Sequence, residues 1–381
     1  MMTITKSLLS AGILLGSTAI AHADVSVCAL LSITGPASAL GAPQQSSVQF
    51  LPKEIDGKAV KYIVLDDATD PGAATQNARK CLAEQKADVL IGGAATPVAA
   101  ALAAVAAETG TPFLAIGPVG TKDEQFKWTF VVPQPVSLMA KAIVEHMKTR
   151  GVKTVGFIGY SDAYGDLWLN AISPLLKAAG ITVGPVERFA RNDTSVAAQA
   201  LKVASARPDA VLVVASGAPA AGPNLALADR GYGGAIYHTH GSASPAFLKV
   251  GGAAANGTLL PVGPIVVASQ LDDSNSAKAP ALKYTTQYEA AFGAGSVSPF
   301  GGYLIDSGLI IAAAASTALK SGSEPGTPEF RAALRTAIEN LNGVPGVHGS
   351  YSGSAKIHDL SSSDASRVMA VVQNGAWKIA K

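Results

Sequence analysis

Residues 88–101 read DVLIGGAATPVAAA, and the way this stretch folds decides the architecture. Residues 88–91 form a short run of strand-forming, apolar character, and from Pro97 onward the chain is dominated by alanine, the best helix former. Between the two stand Gly92, Gly93, Ala94, Ala95 and Thr96. A strand passing through small residues directly into a helix is the turn of a βαβ unit, and the missing side chains let a ligand approach the backbone. The free N–H groups of the first helical turn then favour an anion. Phosphate does not fit. No G-x-G-x-x-G follows the strand, no G-x-x-x-x-G-K-[ST] occurs in the chain, and Gly117–Lys122 has the wrong Gly and Lys spacing for a phosphate loop. A carboxylate held by helix N–H groups and the Thr96 hydroxyl fits the residues, with a purely structural turn as the plain alternative.

The same alternation extends on both sides. Strands are predicted over 25–31, 60–65, 88–91 and 112–116, with helices between them. Asp70 and Pro71 open one of these helices as N-cap and first residue. The pattern restarts after 129–135, with strands at 154–158, 182–188, 210–214 and 235–237 and helices between. Two doubly wound α/β units with parallel sheets follow from this order. Helices over 280–292, 303–320 and 327–340, and short strands over 351–357, 368–372 and 377–379, lack the alternation of a third sheet and are expected to be shared between the two units. The chain would cross between them near 132–135, 261–264 and 343–349, each rich in Pro or Gly. The expected division is residues 24–132 with 265–343 as one lobe and 133–264 with 344–381 as the other.

Composition narrows the function. Of 381 residues, 48% are hydrophobic and 15% charged, with a net charge of +2, so the chain folds and has no basic footprint for nucleic acid. MMTITK, the apolar SLLSAGILLGSTAIA and Ala21-His22-Ala23 follow the order of a secretory signal peptide, with cleavage after Ala23. Export to the periplasm is expected. The apolar residues 311–319 are too short to cross a membrane and read as a buried helix. Cys28 and Cys81 can pair in an exported chain; two buried free thiols are the alternative.

Three further motifs are weighed for chemistry. Gly159-Tyr160-Ser161-Asp162-Ala163 approximates a nucleophile elbow, but Ala163 stands where glycine is required, and Ser161 and Asp162 also suit a helix N-cap. An exported hydrolase using Ser161 is therefore the alternative of another class. His238-Thr239-His240 has no neighbouring acid or thiol to complete a metal site. Asp66, Asp67 and Asp70 lack calcium-loop spacing. No metal and no cofactor are expected.

In order and spacing, Ser32–Pro36 with Ala39-Leu40-Gly41, Asp66–Pro71, 89–92, 111–115 and Gly159–Gly165 resemble the periplasmic solute-binding proteins of the leucine/isoleucine/valine-binding type, which feed ATP-driven importers. The resemblance covers essentially the whole mature chain. It implies the type I periplasmic binding fold, two Rossmann-like lobes joined by three hinge crossovers, closing over a small ligand. It also implies a monomer that acts with a membrane permease of an ABC importer and is not an enzyme. By position, the ligand carboxylate would meet Ala95 and Thr96 on one turn and Pro118 and Gly120 on the next, although Pro118 has no N–H and Gly120 no hydroxyl. Tyr164 would cover the ligand, Leu40 and Ala218 stand where the family has aromatic residues, and Phe300 could reach the cleft. His240 stands where amino-acid-binding members place the acid that pairs with the ligand ammonium. An imidazole cannot replace that carboxylate. The expected ligand is a carboxylate without an α-ammonium, an aromatic or 2-oxo acid, with a branched-chain amino acid as the runner-up.

Overall fold

The computed structural model describes residues 24–120 and 123–380; the signal-peptide reading of residues 1–23 lies outside the described residues. The first lobe is built on β1 (Val25–Leu31), α1 (Ser38–Ser47), β2 (Glu54–Ile55), β3 (Lys58–Asp66), α2 (Pro71–Gln85), β4 (Val89–Gly92), α3 (Thr96–Thr109), β5 (Phe113–Ala115), α4 (Asp123–Phe126) and β6 (Thr129–Val131). Its six strands lie in the order β2-β3-β1-β4-β5-β6, parallel except for the β2–β3 hairpin at one edge. Every residue of β1, β4 and β5 is buried, as expected for inner strands of a parallel sheet covered by helices on both faces. Asp70 caps α2 through Ala73 N at 2.6 Å, and Pro71 opens the helix. Cys28 of β1 and Cys81 of α2 are disulfide-bonded, which settles the pairing the sequence left open.

The second lobe contains α5 (Val136–Thr149), β7 (Thr154–Tyr160), α6 (Ala163–Ala178), β8 (Thr182–Phe189), α7 (Ala197–Ser205), β9 (Ala210–Val214), α8 (Ala221–Ala228), β10 (Ala235–His238), α9 (Pro245–Gly251) and β11 (Leu259–Val262). The chain then adds α10 (Lys278–Phe292), α11 (Pro299–Lys320), α12 (Pro328–Glu339), β12 (Val344–Gly346), β13 (Gly349–Tyr351), β14 (Val368–Gln373) and β15 (Ala376–Ile379). The second sheet runs β15-β14-β11-β10-β9-β7-β8, and β11 pairs antiparallel with β14.

Three features differ from the sequence expectation. β11 is a strand although Pro261 lies inside it, where the sequence suggests only a crossing at 261–264. The return to the second sheet comes late. Val347, Tyr351 and Leu360 pack in the first lobe's core, and Leu360 N donates to Val131 O, so the chain re-enters the second sheet only at β14, past the expected 343–349. Finally, the helix expected over 303–320 starts earlier, at Pro299: α11 has 22 residues, is long and apolar enough to cross a membrane by length and composition, and lies mostly inside the first lobe, in keeping with the buried-helix reading of 311–319. Its Asp306 carboxylate takes hydrogen bonds from Val347 N, His348 N, His348 Nδ1 and Tyr351 Oη, which ties the β12–β13 hairpin to that lobe.

Candidate ligand-binding cleft

In open α/β sheets, ligands bind beyond the carboxyl ends of the strands where the strand order reverses. Both lobes present those ends to the same crevice. From the first lobe come Leu40 (after β1), Ala94 (after β4) and Ile116, Gly117 and Pro118 (after β5). Pro133 follows β6, and Phe300 and Tyr303 lie at the start of α11. From the second lobe come Tyr164 (after β7), Arg191 (after β8), Ser216 (after β9) and His240 and Gly241 (after β10). The enclosed space is about 20 Å³, room for about one water molecule. A ligand pocket takes ~300 Å³ or more, so the cleft in this arrangement has no room for one.

The turns are tight for local reasons. A Cβ on Gly117 would lie 2.4 Å from Gly93 O, so the turns after β4 and β5 touch backbone to backbone. A Cβ on Gly41 would lie 2.0 Å from Ser32 O, which is how α1 packs close enough to β1 to aim Leu40 inward.

The residues singled out from the sequence fall in three groups. Leu40, Pro118, Tyr164, His240 and Phe300 line the cleft. Ala95 and Thr96 are buried beside it, and Ala94 lines it in their place. Thr96 Oγ1 donates its only proton to Pro118 O at 2.8 Å, so in this arrangement it has no proton for a ligand carboxylate. Gly120 is exposed with nothing within 4 Å of a Cβ built on it, and Ala218 starts a short turn beyond Ser216; neither lines the cleft. The N–H groups of α3 have no side-chain cap.

Arg191, Ser216 and Tyr303 were not anticipated. Arg191 Nε donates to Asp162 Oδ2 at 2.6 Å and Nη1 to Ser216 Oγ at 3.2 Å; the guanidinium carbon lies 4.2 Å from the centroid of the Tyr160 ring. Nη2 has no hydrogen-bond partner among the described residues. Asp162 is also the N-cap of α6, accepting from Tyr164 N. The carboxylate therefore anchors Tyr164 and Arg191 together. Tyr164 Oη donates to Thr239 Oγ1, which donates on to Ala215 O. Tyr303 Oη donates to Gln134 Oε1, and Gln134 Nε2 to Ser366 O, so a cleft residue is joined to two of the three crossings.

The two histidines differ. His238 lies between Ser242 Oγ and Asn224 Oδ1, a satisfied core residue whose pKa burial pushes down to about 3. His240 faces the cleft. Its Nδ1 is buried without a partner among the described residues, and desolvation, with His348 nearby, lowers its pKa to about 4, so the ring is neutral at pH 7. Ser161 is exposed, and among the described residues none of its hydrogen bonds reaches a histidine.

Residues 24–376 match the family model described as periplasmic binding protein. The chain belongs to that family. This periplasmic binding protein is 26% identical over 364 residues to the Leu/Ile/Val-binding protein BraC3 of Rhizobium johnstonii, with 91% of each chain covered. Its fold matches an extracellular ligand-binding receptor from Rhodopseudomonas palustris HaA2 with a TM-score of 0.92 at 43% identity, covering 94% of this chain and 100% of that one. A solute-binding protein of an ABC transporter from Rhodopseudomonas palustris BisB5, solved with 3,4-dihydroxybenzoic acid, superposes with a TM-score of 0.79. It covers 93% of this chain and 95% of its own; at 17% identity that likeness is one of fold alone. The expected type I periplasmic binding architecture is thus present.

Proposed function

We propose that this protein is the extracytoplasmic receptor of an ABC importer. It captures a small carboxylate that has no α-ammonium, an aromatic or 2-oxo acid, and presents the closed form to a membrane permease. Family membership implies a periplasmic location; cleavage after Ala23 belongs to the proposal, as does the absence of catalysis. The observation that carries the reading is the charge of the cleft. Among the described residues that line it, Arg191 is the cation, His240 is neutral, and the nearby carboxylate of Asp162 is already paired with Arg191. A ligand ammonium would be buried without a counter-ion, at a cost of several kcal/mol. A ligand carboxylate has a guanidinium to meet. Apolar walls from Leu40, Ile116, Phe300 and Tyr303 suit a hydrophobic body.

The second reading is a branched-chain amino acid, favoured by the name of the BraC3 relative. Titration calorimetry with 4-hydroxybenzoate, phenylpyruvate and L-leucine separates them. Micromolar binding of either acid with no heat from leucine is expected; micromolar leucine binding without the other two would refute the preferred ligand. Intact recovery of every bound compound, checked by chromatography, tests the receptor against a hydrolase.

A further inference from the structure

We propose that the ligand carboxylate is gripped from the second lobe, by the end-on fork of Arg191, and not by the turn at Thr96. The proposal rests on the carboxylate reading above and deepens it. Three observations on the first lobe remove the expected grip. The Thr96 hydroxyl proton is spent on Pro118 O. Pro118 has no N–H to offer. Gly120 lies outside the cleft. What remains there is the bare N–H edge of α3, without a side-chain donor.

The second lobe has what the first lacks. A guanidinium has five N–H donors in a planar fork. Asp162 takes Nε, which fixes the plane and leaves the terminal protons of Nη1 and Nη2 outside that bond. Ser216 Oγ accepts one Nη1 proton at 3.2 Å, and Nη2 makes no hydrogen bond among the described residues. The Tyr160 ring lies against one face of the guanidinium at 4.2 Å and holds it flat. Only 12% of the side chain is exposed, so the spare donors sit in a poorly solvated place where a two-pronged bond to a carboxylate is strong. An ion pair with Asp162 keeps the cation from being buried alone in the ligand-free protein. The ligand then adds a second anion to an arginine already oriented for it. His240 Nδ1, unpartnered in the same cleft, is left for a second, uncharged oxygen such as a phenol or ketone.

The test pairs each acid with its neutral amide in calorimetry on the full mature chain, using 4-hydroxybenzoate, phenylpyruvate and L-leucine with their amides, for wild type, Arg191→Gln, Arg191→Lys and Thr96→Val. Folding of each variant is checked by circular dichroism. For whichever acid binds wild type, Arg191→Gln is expected to weaken it by ~30-fold or more, on the scale of losing one side of a buried charge pair. The acid-to-amide preference should collapse toward unity, Arg191→Lys should restore part of it, and Thr96→Val should change affinity less than threefold. Equal weakening of acid and amide in Arg191→Gln would mark a merely structural role and overturn the proposal. So would wild-type affinity in that variant, or a Thr96→Val loss as large as the arginine's. Leucine binding alone, still Arg191-dependent, would overturn the preferred ligand while leaving the anchor standing. If none of the three acids binds, both fail.

Discussion

The disulfide makes a quantitative claim about the first lobe. Cys28 and Cys81 are separated by 53 residues and lie fully buried, with Cα atoms 6.4 Å apart, joining the central strand β1 to α2. Closing a loop of that length in the unfolded chain removes entropy worth about 4 kcal/mol at 25 °C, between the ~3 kcal/mol of a 15-residue loop and the ~4.7 kcal/mol of a 100-residue one. Substituting both cysteines would mix this with a packing defect, because each sulfur fills core volume. Reduction is the cleaner perturbation: the thiols keep their places and only the tether is lost. Urea unfolding should be followed with and without reductant, with thiol titration confirming that both cysteines are free. Trp128 packs near Gly110 and Arg335 and reports on the first lobe, whereas Trp168 and Trp377 report on the second. With a urea slope of ~2 kcal/mol/M, the first-lobe midpoint should fall by ~2 M, while the second-lobe midpoint stays. The slope should also rise, because the untethered chain unfolds to a more expanded ensemble. A first-lobe shift below ~0.5 M in fully reduced protein would refute the entropic account.

Other predictions follow from the same geometry. Asp306→Asn puts an amide N–H₂ among four buried donors and should destabilise the first lobe by ~3 kcal/mol or more, read as a urea midpoint; a shift under ~1 kcal/mol would contradict the four-donor arrangement. His240 has a folded-state pKa near 4 against 6.5 unfolded, so the unfolded chain takes the proton first as pH falls. Stability from this group is complete at pH 7 and lost between about 6.5 and 4, with a loss of ~2 kcal/mol by pH 4.5. His240→Asn should flatten the pH dependence of the urea midpoint by that amount, with Asp88, raised to about 6, acting in the opposite sense in both proteins. Gly217 has φ +60°, and a Cβ there would lie 2.8 Å from Ala39 Cβ and 3.2 Å from Leu40 Cδ1 on the opposite lobe. Gly217→Ala should hold the lobes apart, raising the radius of gyration of the ligand-free protein in small-angle scattering and weakening ligand binding ~10-fold; unchanged scattering would count against it.

The two lobes were legible in the sequence because their grammar is local. Asp70-Pro71 signals a helix start wherever it lies, and buried parallel strands read as continuous apolar runs such as VSVCALL. The late third crossing was not legible. The hairpin of β12 and β13 belongs to the first lobe because Asp306, more than 40 residues upstream, satisfies its backbone, and nothing in residues 343–351 announces that partner. β11 was obscured in the same way. Pro261 argues against a strand on local rules, and the antiparallel pairing with β14, over 100 residues later, beside a parallel contact with β10, makes one.

The cleft divides along the same line. Leu40, Tyr164 and His240 follow recognisable strand ends, and the family resemblance points to each by its position. Arg191 follows β8 in a loop with no signature. Its importance comes from Asp162, 29 residues earlier, and from Ser216, 25 residues later, neither of which is informative until the sheet brings them together. Thr96 illustrates the converse. Its position at a helix start, after small residues, satisfies every local rule for an anion site. A hydroxyl has one proton, however, and whether that proton is free depends on the carbonyl of Pro118, 22 residues away. Local sequence points to some donors at the crevice, such as Thr96, and passes over others, such as Arg191. The tertiary fold fixes which of them remain unspent, and on the proposed reading it is the unspent donor that selects the ligand.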